Sequence, residues 1–289
     1  MSPFIAIAAA ILTFMAFWVQ YNANQKIINE NKRQQIERQF YEMLKIHNSN
    51  VKSFHAKNDT TSITEKGITR GITYEAHGQD YISAVLAEFN AIYDTIKGYM
   101  PNQKSKWFPI SYDLFYYGYE YAVRKNELSS ACQMELQECM ASPIFYDPPF
   151  TKLNIFGQSL FKGHLAQLNS YYRHLFLTVK TIVNVDNDIL DYSEKRQFLR
   201  ILRAQLTSAE QVLLFYNWKS ECGRAWEGET ESGKKNHFFT DYRMIHNINP
   251  SDCEAFEESE LLKELMDINP NFKYEGESQE KDPLFELIR

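Results

Sequence analysis

The chain has 289 residues, 44% of them hydrophobic, which fits one large domain or two small ones with a core of ordinary size. Aromatics reach 15% while Gly (11) and Pro (9) are scarce, favouring helices over a sandwich or barrel of many tight turns. The formal net charge of -6 is uneven: residues 26–57 hold seven basic and three acidic side chains and residues 251–289 twelve acidic and four basic, so only the first segment could gather a nucleic-acid-binding face.

Residues 1–25 contain no charged side chain, and PFIAIAAAILTFMAFWV, Pro3 to Val19, is almost wholly apolar. A helix of this length spans roughly 26 Å, near the lower limit for the hydrocarbon core, and Trp18 and Tyr21 fall where an interfacial aromatic belt would sit. A cleaved signal peptide would open on a basic region and end on small residues, and neither is present. The stretch therefore reads as a retained membrane helix. Lys26, Lys32, Arg33 and Arg38 follow it, which by the positive-inside rule puts the rest of the chain in the cytoplasm. The start is abrupt enough to leave room for a further membrane helix upstream.

From Asn29 to Phe54 the pattern continues as a juxtamembrane amphipathic helix, with Ile36, Phe40, Met43, His47, Val51 and Phe54 on one stripe. The stripe is expected to pack on the body of the protein or on a second copy, with His47 at its edge rather than as a ligand. Asn58 to Gly78 reads as a loop that admits a short strand pair. HGQDYISAVLAEFNAIYDTIKGYM is helical and stopped by Gly98 and Pro101. SYDLFYYGYEYAV is expected to start a buried helix after Pro109, capped by Ser111. LSSACQMELQECM forms another, before the three prolines of SPIFYDPPF impose an extended connection. The four cysteines, Cys132, Cys139, Cys222 and Cys253, contain no CxxC pair and read as reduced thiols; no metal and no cofactor is expected.

Two stretches then mix apolar and polar residues. In the first, around YYRHLFLTVK, Leu165, Leu168, Tyr172, Leu175, Val179 and Ile182 make a helical stripe; Arg173 and Lys180 share one flank, and His174 lies on another with Tyr171 and Thr178. In the second, RAQLTSAEQVLLFYN, a single helical period runs through Phe198, Leu202, Leu206, Ala209, Leu213 and Tyr216. Arg203, Thr207 and Glu210 line one shoulder, and Gln205 falls among the apolar residues. Two readings stay open. Gln205, Asn217, His174 and the arginines could exchange hydrogen bonds that fix the register of two antiparallel helices, or Arg173, Lys180 and Arg203 could line a pocket for an anionic ligand. The candidate binding residues are Arg173, His174, Lys180, Arg203, Gln205, Glu210, Tyr216 and Asn217.

YYRHLF followed by RAQLTSAEQVLLFYN resembles the phage abortive infection proteins called AbiC-like. AFWVQYNANQ leading into RQFYEMLKIHNSNV is similar too, as is GQDYISAVLAEFNAIY, with Tyr81 where the family has an aromatic but without a basic residue after Gly78. The resemblance runs over roughly residues 5 to 245 and leaves out the acidic tail. It carries over the motif residues Tyr172, Arg173, His174, Leu175, Arg203, Ala204, Gln205, Leu206, Glu210, Tyr216 and Asn217. It implies a bacterial, inner-membrane, helical protein that arrests or kills the infected cell before phage mature, and it supplies no reaction.

The expected architecture is thus mainly α, with a membrane anchor (1–25), a juxtamembrane helix (26–57), a multi-helix cytoplasmic domain (58–250) and an acidic segment (251–289). The expected function is a non-enzymatic sensor and effector of phage defence. The membrane, a phage protein or small signal, and a second copy of the chain are its candidate partners; nucleic acid is not expected. One alternative is a ribonuclease of the HEPN type, whose arginine and histidine would be Arg70 and His77 in RGITYEAH; another is a structural protein of a membrane complex. The chain has no GxxxxGK[ST] loop, GxSxG elbow or HExxH helix. His237, Asp241 and His246 are poorly spaced for a shared metal.

Overall fold

The structure is a computed structural model that describes residues 3–63, 69–125, 128–141, 163–228, 236–245, 248 and 252–256. The prolines of SPIFYDPPF, His246 and the expected helix in EAFEESELLKELM lie outside these residues. What is described is mainly helical.

Helix α1 runs without a break from Pro3 to Ser53. At 1.5 Å per residue its 51 residues extend about 77 Å, so the apolar start and the amphipathic continuation form one rod that crosses residue 25 without interruption. The rod's two halves differ in what covers them. Phe4, Ile7, Ile11, Phe14, Phe17 and Trp18 are all exposed, and this end is long and apolar enough to cross a membrane. Phe40, Leu44, His47, Val51 and Phe54 are buried. Leu44 takes the place expected for the half-buried Met43, and His47 is 1% exposed, at the centre of the packed face and not at its edge.

Strands β1 (His55–Ile63) and β2 (Thr69–His77) form an antiparallel hairpin where a loop with a short strand pair was expected. The hairpin returns the chain to its origin: the Gly78 amide donates to the Phe54 carbonyl, and Phe54 stacks on Tyr81. Helix α2 (Gly78–Tyr99) buries Tyr81, Ile82, Val85, Phe89, Ile92 and Ile96, the face expected from its spacing. Helix α3 (Lys104–Tyr117) starts before Pro109 instead of after it. Proline fits helical φ, and the carbonyl that loses its helical donor belongs to the exposed Ser105, where water can reach it. Ser111 is consequently a buried mid-helix residue and caps nothing. Gly118, at φ 90, separates α3 from α4 (Tyr119–Arg124), and α5 (Ser130–Ala141) holds Cys132 and Cys139. Cys132 and Cys253 are buried and Cys222 is exposed, none of the three in a disulfide.

The first motif stretch is helix α6 (Leu165–Val183), with Leu168, Tyr171, Tyr172, Leu175, Val179 and Ile182 buried. Leu165 is 38% exposed, and Tyr171 takes its place in the core. The second motif stretch is not one helix. Helix α7 (Tyr192–Arg203) ends at Ala204, and α8 (Ser208–Lys219) begins afresh behind Thr207. Each starts with a capping box, Asp191 with Glu194 and Thr207 with Glu210, in which backbone N–H groups left free at the helix start are satisfied reciprocally. Because the helical phase resets at Thr207, Gln205 sits in the turn and is exposed, whereas Gln211 is the buried glutamine. A short 3-10 helix (Glu221–Trp226) follows.

The core is aromatic at its centre, where Phe89 meets Phe108, Phe115 and Tyr216. Two glycines permit close approaches of backbone. A Cβ on Gly163, at φ +64, would lie 2.3 Å from the Tyr116 carbonyl oxygen, and one on Gly223 would lie 2.0 Å from that of Asn217. Gly163→Ala should therefore destabilise the protein by about 2 kcal/mol or more. Gly98→Ala, where a Cβ meets nothing within 4 Å, should stabilise it by about 0.5 kcal/mol. Unfolding of the two variants in detergent solution checks this opposition of sign.

Candidate functional site

The motif helices meet the long rod through a buried polar cluster. Tyr171 of α6 donates from its hydroxyl to Glu210 Oε1 at 2.8 Å, while Glu210 Oε2 accepts from the Thr207 amide at 2.8 Å and the Thr207 hydroxyl at 3.0 Å. One carboxylate thus closes the start of α8 and binds α6 to it, at a helix N-terminus where negative charge is favoured. Burial and the neighbouring Glu210 push the Tyr171 hydroxyl well above its ordinary pKa, so it stays a donor. Tyr172 adds a second tie, from its hydroxyl to the Leu213 carbonyl.

His47 of α1 closes the cluster from the other side. Its ring lies 5.6 Å from that of Tyr171, and its Nε2 is 3.7 Å from Glu210 Oε1, beyond hydrogen-bond reach. Neither ring nitrogen has a hydrogen-bond partner among the described residues. Burial, and then the charge of His174, lower its pKa to about 4, so the imidazole is neutral near pH 7 and the approach to Glu210 is not an ion pair.

Three more contacts fasten α1. His174 Nε2 lies 2.9 Å from the Met43 carbonyl oxygen; a carbonyl only accepts, so Nε2 carries the proton. Phe40 meets Phe198 edge-on at 5.1 Å. Arg33 pairs with Glu194 Oε1, whose other oxygen caps α7.

The remaining candidate residues are dispersed. Arg203 Nη1 donates to the Arg243 carbonyl at 2.8 Å. Lys180 Nζ lies 5.8 Å from the centre of the Phe176 ring. The hydroxyl of the buried Tyr216 accepts from the Ala255 amide at 3.4 Å. Asn217 donates to the Tyr112 hydroxyl at 2.9 Å and accepts from Trp226 Nε1 at 3.2 Å. Among the described residues, Tyr171 to Glu210 is the polar side-chain tie between the two motif helices, and the expected exchange among His174, Asn217 and the arginines is not what joins them. His174, Asn217 and Arg203 reach outward to α1, α3, the 3-10 helix and the turn at residues 236–245. Nor do Arg173, Lys180 and Arg203 form one basic pocket.

Arg173 and Asn217 do share a cleft. Its volume is about 350 Å³, within the range of small-molecule sites, and its walls include Tyr116, Tyr117, Tyr172, Phe176 and Trp226. Arg173 is the only charged lining residue among the described residues, and it is exposed. The walls were not foreseeable from the motif, since Tyr116 and Tyr117 come from α3. Of the His237, Asp241 and His246 set, His237 faces Glu227 at 3.4 Å, Asp241 is buried and His246 is outside the described residues.

Fold and site together define a mainly helical protein whose exposed apolar helix is continuous with a rod bonded to a pair of motif helices. Residues 163–253 match the family model described as "Putative phage abortive infection protein", putAbiC. The match takes in both motif stretches and bears out the resemblance read from them. Neither curated proteins nor solved structures give a match.

Two measurements test the cluster. Tyr171→Phe strips a donor from a buried carboxylate and should cost about 1 to 3 kcal/mol, against about 1 kcal/mol or less for Tyr172→Phe, in chemical unfolding. His47 has a pKa lowered on folding, so the unfolded chain binds its proton first. Its contribution is complete above about pH 6.5, the unfolded value, and is lost as pH falls toward about 4. Between pH 7 and pH 4, His47→Gln should lose about 3 kcal/mol less stability than the unmodified protein.

Proposed function

We propose that this chain is a membrane-anchored anti-phage protein of the abortive-infection kind, which detects a phage protein or a small signal with its helical body and answers by moving α1. The observation that carries this reading is the seam between α1 and the family-matched helices. One unbroken helix has its apolar end exposed and its other half fastened by His47, His174 and Arg33 to α6, α7 and α8. Apolar side chains exposed all round a helix call for lipid, and the basic residues Lys26, Lys32, Arg33 and Arg38 just after it support a body on the cytoplasmic side of a bacterial inner membrane.

His47 supplies a switchable contact. A buried imidazole without hydrogen bonds is costly, and it stands about 0.5 Å beyond hydrogen-bond reach of Glu210. A small displacement of α1 against α8 would make that bond, giving the seam two arrangements of different energy. The cleft at Arg173 is the proposed entry for the signal. Its flat aromatic walls and single guanidinium suit an anionic ligand with a planar ring. No reaction is assigned.

The ribonuclease reading is not favoured. Arg70 and His77 lie on the same strand seven residues apart, about 23 Å along it, so no helix turn brings them together.

Phage plating on cells carrying variants at equal membrane abundance tests the proposal. Arg173→Glu and Glu210→Ala should each lower protection toward that of cells lacking the protein, and both should remain in the membrane fraction. Full protection by both variants would sink the sensing role of cleft and seam. Recovery of the unmodified protein in the soluble fraction would sink the anchor.

A further inference from the structure

The hairpin between α1 and α2 carries a group of side chains that the phage-defence reading does not use. His55 opens β1 and His77 closes β2, and the antiparallel register sets them directly opposite one another. Glu75 lies two residues before His77, so the period of two along a strand puts it on the same face. The side chains follow the backbone. Glu75 Oε1 is 3.0 Å from His55 Nε2 and 3.1 Å from His77 Nε2, and the two imidazole rings stack with centres 4.5 Å apart. The three ligand atoms all lie within 4.8 Å of one another.

We propose that His55 Nε2, Glu75 Oε1 and His77 Nε2 form a three-ligand site for a divalent transition-metal ion of the zinc class. Nitrogen and oxygen ligands about 2.0 to 2.1 Å from a tetrahedral ion are about 3.4 Å from each other, so both histidine–glutamate separations need open by only a few tenths of an ångström. Two imidazoles select a borderline ion over Mg²⁺ or Ca²⁺, which take oxygen ligands. All three side chains are about half exposed or more, so an ion can enter from solvent and keep water in its fourth position.

The position gives the site a structural consequence. His55 follows the last turn of α1 and His77 precedes Gly78, the first residue of α2, with the Gly78 amide to Phe54 carbonyl bond beside them. An ion shared by the three ligands ties the end of the long rod to the start of the next helix. Sequence alone gives EAH as one alternating pair of ligands, but His55 lies 20 residues before Glu75 and joins them only through the hairpin register.

The test uses the full chain in detergent micelles, purified without a polyhistidine tag and stripped with chelator. Zn²⁺ is titrated calorimetrically, with Co²⁺ absorption as the spectroscopic probe. One equivalent should bind, with the absorption of a low-coordinate Co²⁺ site, and with affinity falling on acidification because protons compete with the ion for the ligands. His55→Ala and His77→Ala should each weaken binding at least tenfold. The exposed positions make unfolding an unneeded explanation, and circular dichroism of each variant checks it. Equal binding by the unmodified protein and the His55→Ala/His77→Ala double variant overturns the proposal, because the double variant keeps every other histidine. No binding to the unmodified protein also overturns it, leaving the cluster as a carboxylate held by two imidazoles.

Discussion

The acceptance by Glu210 of three hydrogen bonds, from Tyr171 and from the amide and hydroxyl of Thr207, holds the helices around it in one arrangement. It starts α8, fixes α8 against α6, and forms the floor on which His47 of α1 rests. A buried carboxylate persists only where donors surround it, so the three elements are committed together. Removing one donor exposes the cost of all of them, which is why this cluster rather than the larger aromatic core sets the geometry of the seam. The core around Phe89 supplies bulk burial, but apolar contacts tolerate sliding that directional bonds do not.

From this seam the long helix acquires a mechanical meaning. A continuous helix transmits displacement along its axis, and the rod extends from exposed apolar residues at one end to a bonded seam at the other. Its grip on the body is made of separate contacts at Arg33, Phe40, Met43 and His47, spaced along one face. Two of these reach residues that also cap helices, Glu194 and Glu210. A shift of α1 therefore acts on the first turns of α7 and α8, the places where helices are least stable. The cleft at Arg173 lies on another side of α6, and α6 is the element common to both.

Much of the architecture was legible in sequence because it rests on local period. The apolar start shows as an uncharged run, and the amphipathic continuation, α2 and α6 show their buried faces as residues three and four apart. The misreadings share a cause. A hydrophobic period carried through Leu206 concealed the break before α8, although TSAE is a capping-box signature, and that error put exposed Gln205 in the core. Ser111 after Pro109 reads as a helix cap, whereas both residues lie inside α3. His47 was placed at an edge because nothing in its own helix tells that Tyr171 and Glu210 cover it. The candidate site was legible as a set of residues but not as a constellation. Its members pair with Met43, Tyr112, Trp226 and Arg243, which tertiary packing alone brings near.

Hydrogen exchange read by mass spectrometry tests the seam most directly. In Glu210→Ala, amides in the half of α1 around Phe40 to Val51 and those opening α8 should lose protection together, while α2 and α3 keep theirs. Loss confined to α8, with α1 as protected as in the unmodified protein, would contradict the account of a rod held through Glu210.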